Sequence, residues 1–130
     1  MRVKHDILVI ENDEALGWLL ENVLKDRFRV IITKDPLSAL SRMTNGNLPS
    51  LILCDFDLPG INGLSFLKNL TNSGAFSNIP VIIFSSSTDE TLSERCIKAG
   101  ASGFLNKPFD PLKLIEAINL VLKVNPKTLA

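Results

Sequence analysis

The sequence has no excess charge of either sign: 14 Lys and Arg balance 14 Asp and Glu. That argues against a nucleic-acid-binding arm and against a polybasic membrane patch. It has only two cysteines, Cys54 and Cys96, too far apart for a metal-binding spacing. They read as small buried hydrophobes of a reducing compartment. No apolar run is long enough to cross a bilayer. The start, Met1-Arg2-Val3-Lys4-His5-Asp6, leads into only four apolar residues, too few for a signal peptide. A soluble cytoplasmic protein is expected, without direct binding to nucleic acid or membrane. The single histidine, His5, lies before the first apolar run and reads as solvated. Internal repeats, low-complexity tracts and domain linkers are also missing.

What is present fits one domain: 130 residues, 45% hydrophobic and 22% charged. Short apolar runs alternate with helical patterns. Strands are predicted at residues 7–10, 28–32, 51–55, 80–84 and 103–105. The first helix carries Leu16, Leu20 and Val23 at helical spacing, beside Leu19 and Leu24, with Asp13 as its cap. Trp18 falls opposite that face, on the surface or against a partner. Asp35-Pro36 starts the second helix, with Leu37, Leu40 and Met43 or Thr44 as its inner stripe. The third helix follows Asn62-Gly63 and carries Leu64, Leu67 and Leu70; residues 71–78 read as a loop. Ser87 and Glu90 have capping-box spacing before the fourth helix, which holds Leu92, Cys96 and Ile97. Asp110-Pro111 opens the fifth, lined by Leu112, Ile115, Ile118 and Leu122 and closed by Asn125-Pro126. Five strands alternating with five helices imply an α/β fold with a parallel sheet covered on both faces. A doubly wound, flavodoxin-like (βα)5 sheet of order 2-1-3-4-5 is the natural solution. Residues 1–124 form the expected domain, and 125–130 a C-terminal tail or the start of a linker.

Polar residues then converge. Glu11, Asn12 and Asp13 follow the first strand, Asp55 and Asp57 the third, Ser85 the fourth and Lys107 the fifth. All sit at carboxyl ends, where open α/β sheets bind ligands. Clustered carboxylates repel unless a cation is present. Oxygen donors of this kind suit Mg²⁺, which pairs with phosphate oxygens. Lysine, hydroxyl, metal and acid together describe a site that accepts a phosphoryl group, with Asp55 attacking phosphorus to form an aspartyl phosphate.

The motifs ILVIEND, LILCDFDLPGING, IPVIIFSSS and GASGFLNKPFDP, in this order and spacing, make the chain resemble the receiver domain of two-component response regulators. The resemblance covers essentially the whole chain. It implies a phosphoprotein of phosphorelay signalling, not a turnover enzyme, that takes its phosphoryl group from a histidine kinase or histidine phosphotransfer protein. By resemblance Asp55 is the phosphoacceptor, and Glu11, Asn12, Asp55 and the backbone carbonyl of Asp57 hold Mg²⁺. Ser85 hydrogen-bonds the phosphoryl group, Lys107 pairs with it, and Phe104 is an aromatic switch residue. The Lys107–Pro108 bond is expected to be cis. The output surface is the fourth helix, fifth strand and fifth helix, including Glu94, Lys98, Lys113, Glu116 and Lys123. It would act on a downstream protein partner or on an output domain outside this chain.

Two departures stand out. The family commonly has two acids after the first strand, and Asn12 stands where the second belongs, which weakens Mg²⁺ binding. Ala101-Ser102 replaces an acidic pair used for dimerisation in some members. The alternative to phosphorylation is a degenerate receiver, a phosphorylation-independent protein-interaction module. A rival of another class is a haloacid-dehalogenase-like phosphatase, mimicked by Asp55-Phe56-Asp57. That family puts its acid pair on the first strand, whereas two βα units precede Asp55 here. A flavodoxin-like FMN site is weaker still, because acids follow the first strand.

Overall fold

A computed structural model describes residues 4–124. The chain alternates β1 (Asp6–Ile10), α1 (Glu14–Leu24), β2 (Arg29–Thr33), α2 (Pro36–Thr44), β3 (Leu51–Asp55), α3 (Gly63–Thr71), β4 (Val81–Ser85), α4 (Leu92–Lys98), β5 (Gly103–Asn106) and α5 (Pro111–Val124). The five strands form one sheet, ordered β2-β1-β3-β4-β5, with every neighbouring pair parallel. This is the expected doubly wound arrangement. The expected tail at 125–130, with Asn125-Pro126, lies outside the described residues.

The central strands are apolar except at their ends, where Asp6, Asp55 and Ser85 stand, because both faces of the sheet are covered. Successive side chains point to opposite sides. In β3, Ile52 and Cys54 join a core with Ala39, Met43, Phe66, Leu67, Leu92 and Cys96, under α2, α3 and α4. Leu51 and Leu53 join another with Leu20, Leu24, Leu114 and Ile118, under α1 and α5. Among the described residues no helix is long and apolar enough to cross a membrane.

Four helices start as their capping residues dictate. Asp13 accepts hydrogen bonds from Ala15 N and Leu16 N, Asp35 from Ser38 N, Asn62 from Ser65 N, and Asp110 from Leu112 N. The start of α4 differs from expectation. The Ser87–Glu90 capping box is not formed; the helix begins at Leu92, and its N-cap Thr91 makes no side-chain cap bond. Asp89 intervenes. Its Oδ1 accepts from Thr91 N at 2.9 Å and from Thr91 Oγ1 at 2.7 Å, and Arg95 Nη2 donates to its Oδ2 at 2.6 Å.

Two inner stripes need correcting. In α2, Leu37 is 77% exposed, and Pro36, Ala39 and Met43 face inward. In α5, Leu112 is exposed and Leu114 is buried in its place. Strand β2 begins one residue later than expected, and α3 extends through Thr71.

Candidate functional site

The parallel order brings the carboxyl ends of β1, β3, β4 and β5 to one edge of the sheet. Asp55 is the last residue of β3, beside Phe84 of β4 in the ladder. Glu11 directly follows β1, and its backbone N–H bonds Thr33 O at 2.9 Å. Ser85 closes β4, and its carbonyl accepts from Lys107 N at 2.8 Å. That bond fixes where Lys107 leaves β5, just before a cis Lys107–Pro108 bond.

The loop after β3 stays tight around Asp55. Gly60 takes φ +80°, a left-handed conformation that follows Pro59 in the turn. Gly63 N donates to Phe56 O at 2.6 Å. A Cβ on Gly63 would lie 2.9 Å from Asp55 O and from Phe56 Cα. Only glycine therefore lets α3 begin against the strand end.

Three charged groups meet in the crevice. Lys107 Nζ lies 3.1 Å from Asp55 Oδ1 and 3.6 Å from Glu11 Oε2. Both carboxylates are buried, and the lysine side chain is 20% exposed. Glu11 Oε1 accepts from Asp13 N at 3.1 Å. Glu11 Oε2 and Asp55 Oδ1 have no hydrogen-bond donor among the described residues. Their attraction to the ammonium is therefore one of charge, without hydrogen-bond alignment. Burial and the facing Asp55 carboxylate push Glu11 up to about 7, against the Asp13 N–H and Lys107, which oppose the rise. Burial, aided by Asp55 and Glu11, also raises the Cys54 thiol well above its usual range. That favours an inert structural cysteine over a reactive one.

Ser85 is fully buried, and its Oγ accepts from Ser87 N at 3.0 Å. Its own hydroxyl hydrogen remains available to a ligand oxygen. Phe104 is half-buried against the core beneath α4. Asn12 and Asp57 flank the crevice in sequence, but both side chains are exposed. Asp13 is taken up in capping α1.

The donor set suits a hard divalent cation. Two buried carboxylate oxygens lack donors, and an amide oxygen and a backbone carbonyl lie next to them in sequence. Its charge is low: among the described residues no three of His, Cys, Asp and Glu gather to hold a metal.

Sequence reasoning missed two aromatic residues. The Lys107 ammonium sits 5.0 Å from the centroid of the Phe84 ring. Phe84 in turn meets Phe109 edge-on, with centroids 6.0 Å apart. Phe84 reads in sequence as an ordinary strand residue. The available signal was its place in the strand immediately before Ser85.

Comparison with known proteins agrees with this arrangement. The family described as response regulator receiver domain matches residues 7–119. The phosphate regulon transcriptional regulatory protein PhoB of Escherichia coli is 31% identical over 118 residues, covering 90% of this chain and 51% of that protein. A solved structure from Chloroflexus aurantiacus, described as a response regulator, superposes with TM-score 0.87 at 27% identity, covering 93% of this chain and 99% of that one. The Mn²⁺-bound form of response regulator Rcp1 superposes with TM-score 0.73 at 25% identity, covering 90% and 88% of the two chains. This chain spans about half the length, or less, of the curated relatives it matches.

Proposed function

The chain belongs to the response regulator receiver domain family of two-component signalling, and from that premise we propose that Asp55 is its phosphoacceptor. Receiver domains pair with histidine kinases and are typically not turnover enzymes. The observation that carries the reading is the pairing of a buried strand-end carboxylate with a lysine ammonium at 3.1 Å, with a buried serine hydroxyl on the adjacent strand.

In the proposed reaction an Asp55 carboxylate oxygen attacks phosphorus of a phosphohistidine. The P–N bond breaks, and the imidazole leaves and takes up a proton. Lys107 offsets charge on the transferred oxygens, and the Ser85 hydroxyl donates to one of them. Ser85 Oγ donates with its own hydrogen; drawn toward the phosphoryl group, it would move away from Ser87 N, whose bond to it loosens and with it the loop before α4. Phe104 then moves inward, and the α4–β5–α5 surface shifts its population. A downstream protein partner, or an output domain outside this chain, would read that surface.

Glu11, Asn12, Asp55 and the Asp57 carbonyl are the proposed holders of Mg²⁺. Bound there, the ion supplies positive charge for the phosphoryl oxygens. Receiver domains generally bind Mg²⁺, and the Mn²⁺-bound Rcp1 structure supports a divalent ion in this chain as well. The donor would dock over the crevice mouth, where Ala15, Trp18 and Leu19 of α1 and Pro108 are exposed.

A second reading, a receiver that binds partners without phosphorylation, is favoured by Asn12 and the missing third acid. A phosphatase of the haloacid dehalogenase type is disfavoured by Asp55 lying on β3, not on β1. The test is intact mass after incubation with acetyl phosphate and Mg²⁺. One phosphoryl addition is expected, lost in Asp55→Asn while the far-UV circular dichroism is kept. Labelling of the mutant at the wild-type level sinks the assignment. No addition to the wild type at high Mg²⁺ selects the second reading.

A further inference from the structure

We propose that Phe84 is a positioning residue of this site: the face of its ring holds the Lys107 ammonium beside Asp55. The inference rests on the reading of Asp55 as phosphoacceptor. It goes further by assigning a role to a residue on neither the acidic nor the hydroxyl side of the crevice.

An ammonium group has three donors and is costly to hold in a half-enclosed site unless each direction is compensated. Here Asp55 Oδ1 lies 3.1 Å from Lys107 Nζ, and Glu11 Oε2 lies 3.6 Å from it. Neither contact is aligned as a hydrogen bond, so the carboxylates attract the ammonium without fixing its direction. The third neighbour is the Phe84 ring, with its centroid 5.0 Å from Nζ. A ring face is negative in its quadrupole and attracts a cation at this range, more strongly where water is excluded. The Lys107 side chain is only 20% exposed, and Phe84 is fully buried.

Phe84 has no freedom to turn away. The ladder sets it between Asp55 on one side and Leu105 on the other. Phe109 packs against it with the ring planes at 85°. Phe109 belongs to the same short segment as Lys107. The turn that delivers the ammonium therefore also braces the ring that receives it. An aliphatic residue of similar size could fill the core at position 84, but it would offer the ammonium no negative face.

The test uses the whole chain with Phe84→Leu and with cyclohexylalanine at position 84, which keeps the ring outline without π electrons. Two readouts are needed. The first is the NMR shift of the Lys107 ε-methylene protons, which a ring current displaces upfield without any phosphoryl donor. The second is the rate of phosphorylation by acetyl phosphate at saturating Mg²⁺. The expected result is an upfield shift in wild type that both variants lose. Phosphorylation should slow by roughly two- to thirtyfold, the range a cation–π contact spans. A cyclohexylalanine variant that keeps the wild-type rate overturns the proposal, leaving Phe84 as core filling. Unshifted Lys107 resonances in wild type overturn it too. Failure of wild type to be phosphorylated at all counts against Asp55 as acceptor, and the NMR shift then decides the Phe84 contact by itself.

Discussion

Glu11 is a residue whose chemistry depends on its surroundings. Its carboxyl is buried beside Asp55 and raised to about 7, whereas an unfolded glutamate titrates near 4.5. Between those values the folded chain holds a proton that the unfolded chain has released. Its stabilising contribution is therefore complete below about 4.5 and lost as pH rises through about 7. In EDTA, stability should fall by about 2 kcal/mol from pH 5 to pH 8, after allowing for screening at the open side of the crevice. Glu11→Gln should flatten that slope, because the amide oxygen still accepts from Asp13 N and carries no charge. A thermal melting series that falls equally in both proteins refutes the assignment. Asn12→Asp tests the neighbouring position. A third acid should tighten Mg²⁺ roughly tenfold, the scale of one added charge in a partly screened site. Calorimetric titration that finds equal affinity would place position 12 outside the ion's reach. Asp55 and Ser85 were legible in the sequence because each ends an apolar run, and Lys107 because it follows the last short strand, just before Pro108. The partnership of Lys107 with Phe84 was not, since it depends on strand register and on the direction of one side chain.

The helices show where local rules prevail and where they do not. Asp35 caps α2 as its sequence demands, and Asp35→Ala should cost about 1 kcal/mol in a urea titration. Glu90, the other half of the unused capping box, should change stability by less than about 0.5 kcal/mol when replaced by alanine. A larger loss would mean that α4 spends much of its time with an earlier start. The spacing Ser87–Glu90 is correct for a cap, but the loop is occupied otherwise. Ser87 N bonds Ser85 Oγ, and Asp89 binds Thr91 and Arg95. Helix phase explains the misplaced stripes. Leu114, Ile118, Val121 and Leu122 lie within one arc at about 100° per residue, and Leu112 falls outside it. Two leucines two residues apart look equivalent in sequence, and only the sheet decides between them. Leu114→Ala should therefore cost about 2–5 kcal/mol, and Leu112→Ala less than about 0.5 kcal/mol. Equal costs would contradict the orientation of α5.

Over the whole molecule, the two cores share the same strands. Ile52 and Cys54 serve one face of β3, and Leu51 and Leu53 serve the other. Opening the sheet from one side exposes the lining of the opposite core, so the sheet should unfold as one unit. The alternation of strand and helix that fixes this architecture was fully legible, because every strand is a short apolar run bounded by polar residues. How firmly each helix is held was not legible, since it depends on contacts such as the Asp89–Arg95 pair. The two cysteines can measure it. Cys54 lies in the central strand and Cys96 in α4, both buried in the core beneath α2, α3 and α4. Burial raises both thiols, so the native protein should resist labelling. Helix α4 has seven residues and no side-chain cap, which favours its opening before the sheet yields. In single-cysteine variants under mild urea, Cys54 should label with the free energy of global unfolding measured by circular dichroism, and Cys96 with a smaller one. Equal protection of the two thiols would mean that α4 is held as tightly as the sheet, and that shifting the α4 surface requires breaking the core beneath it.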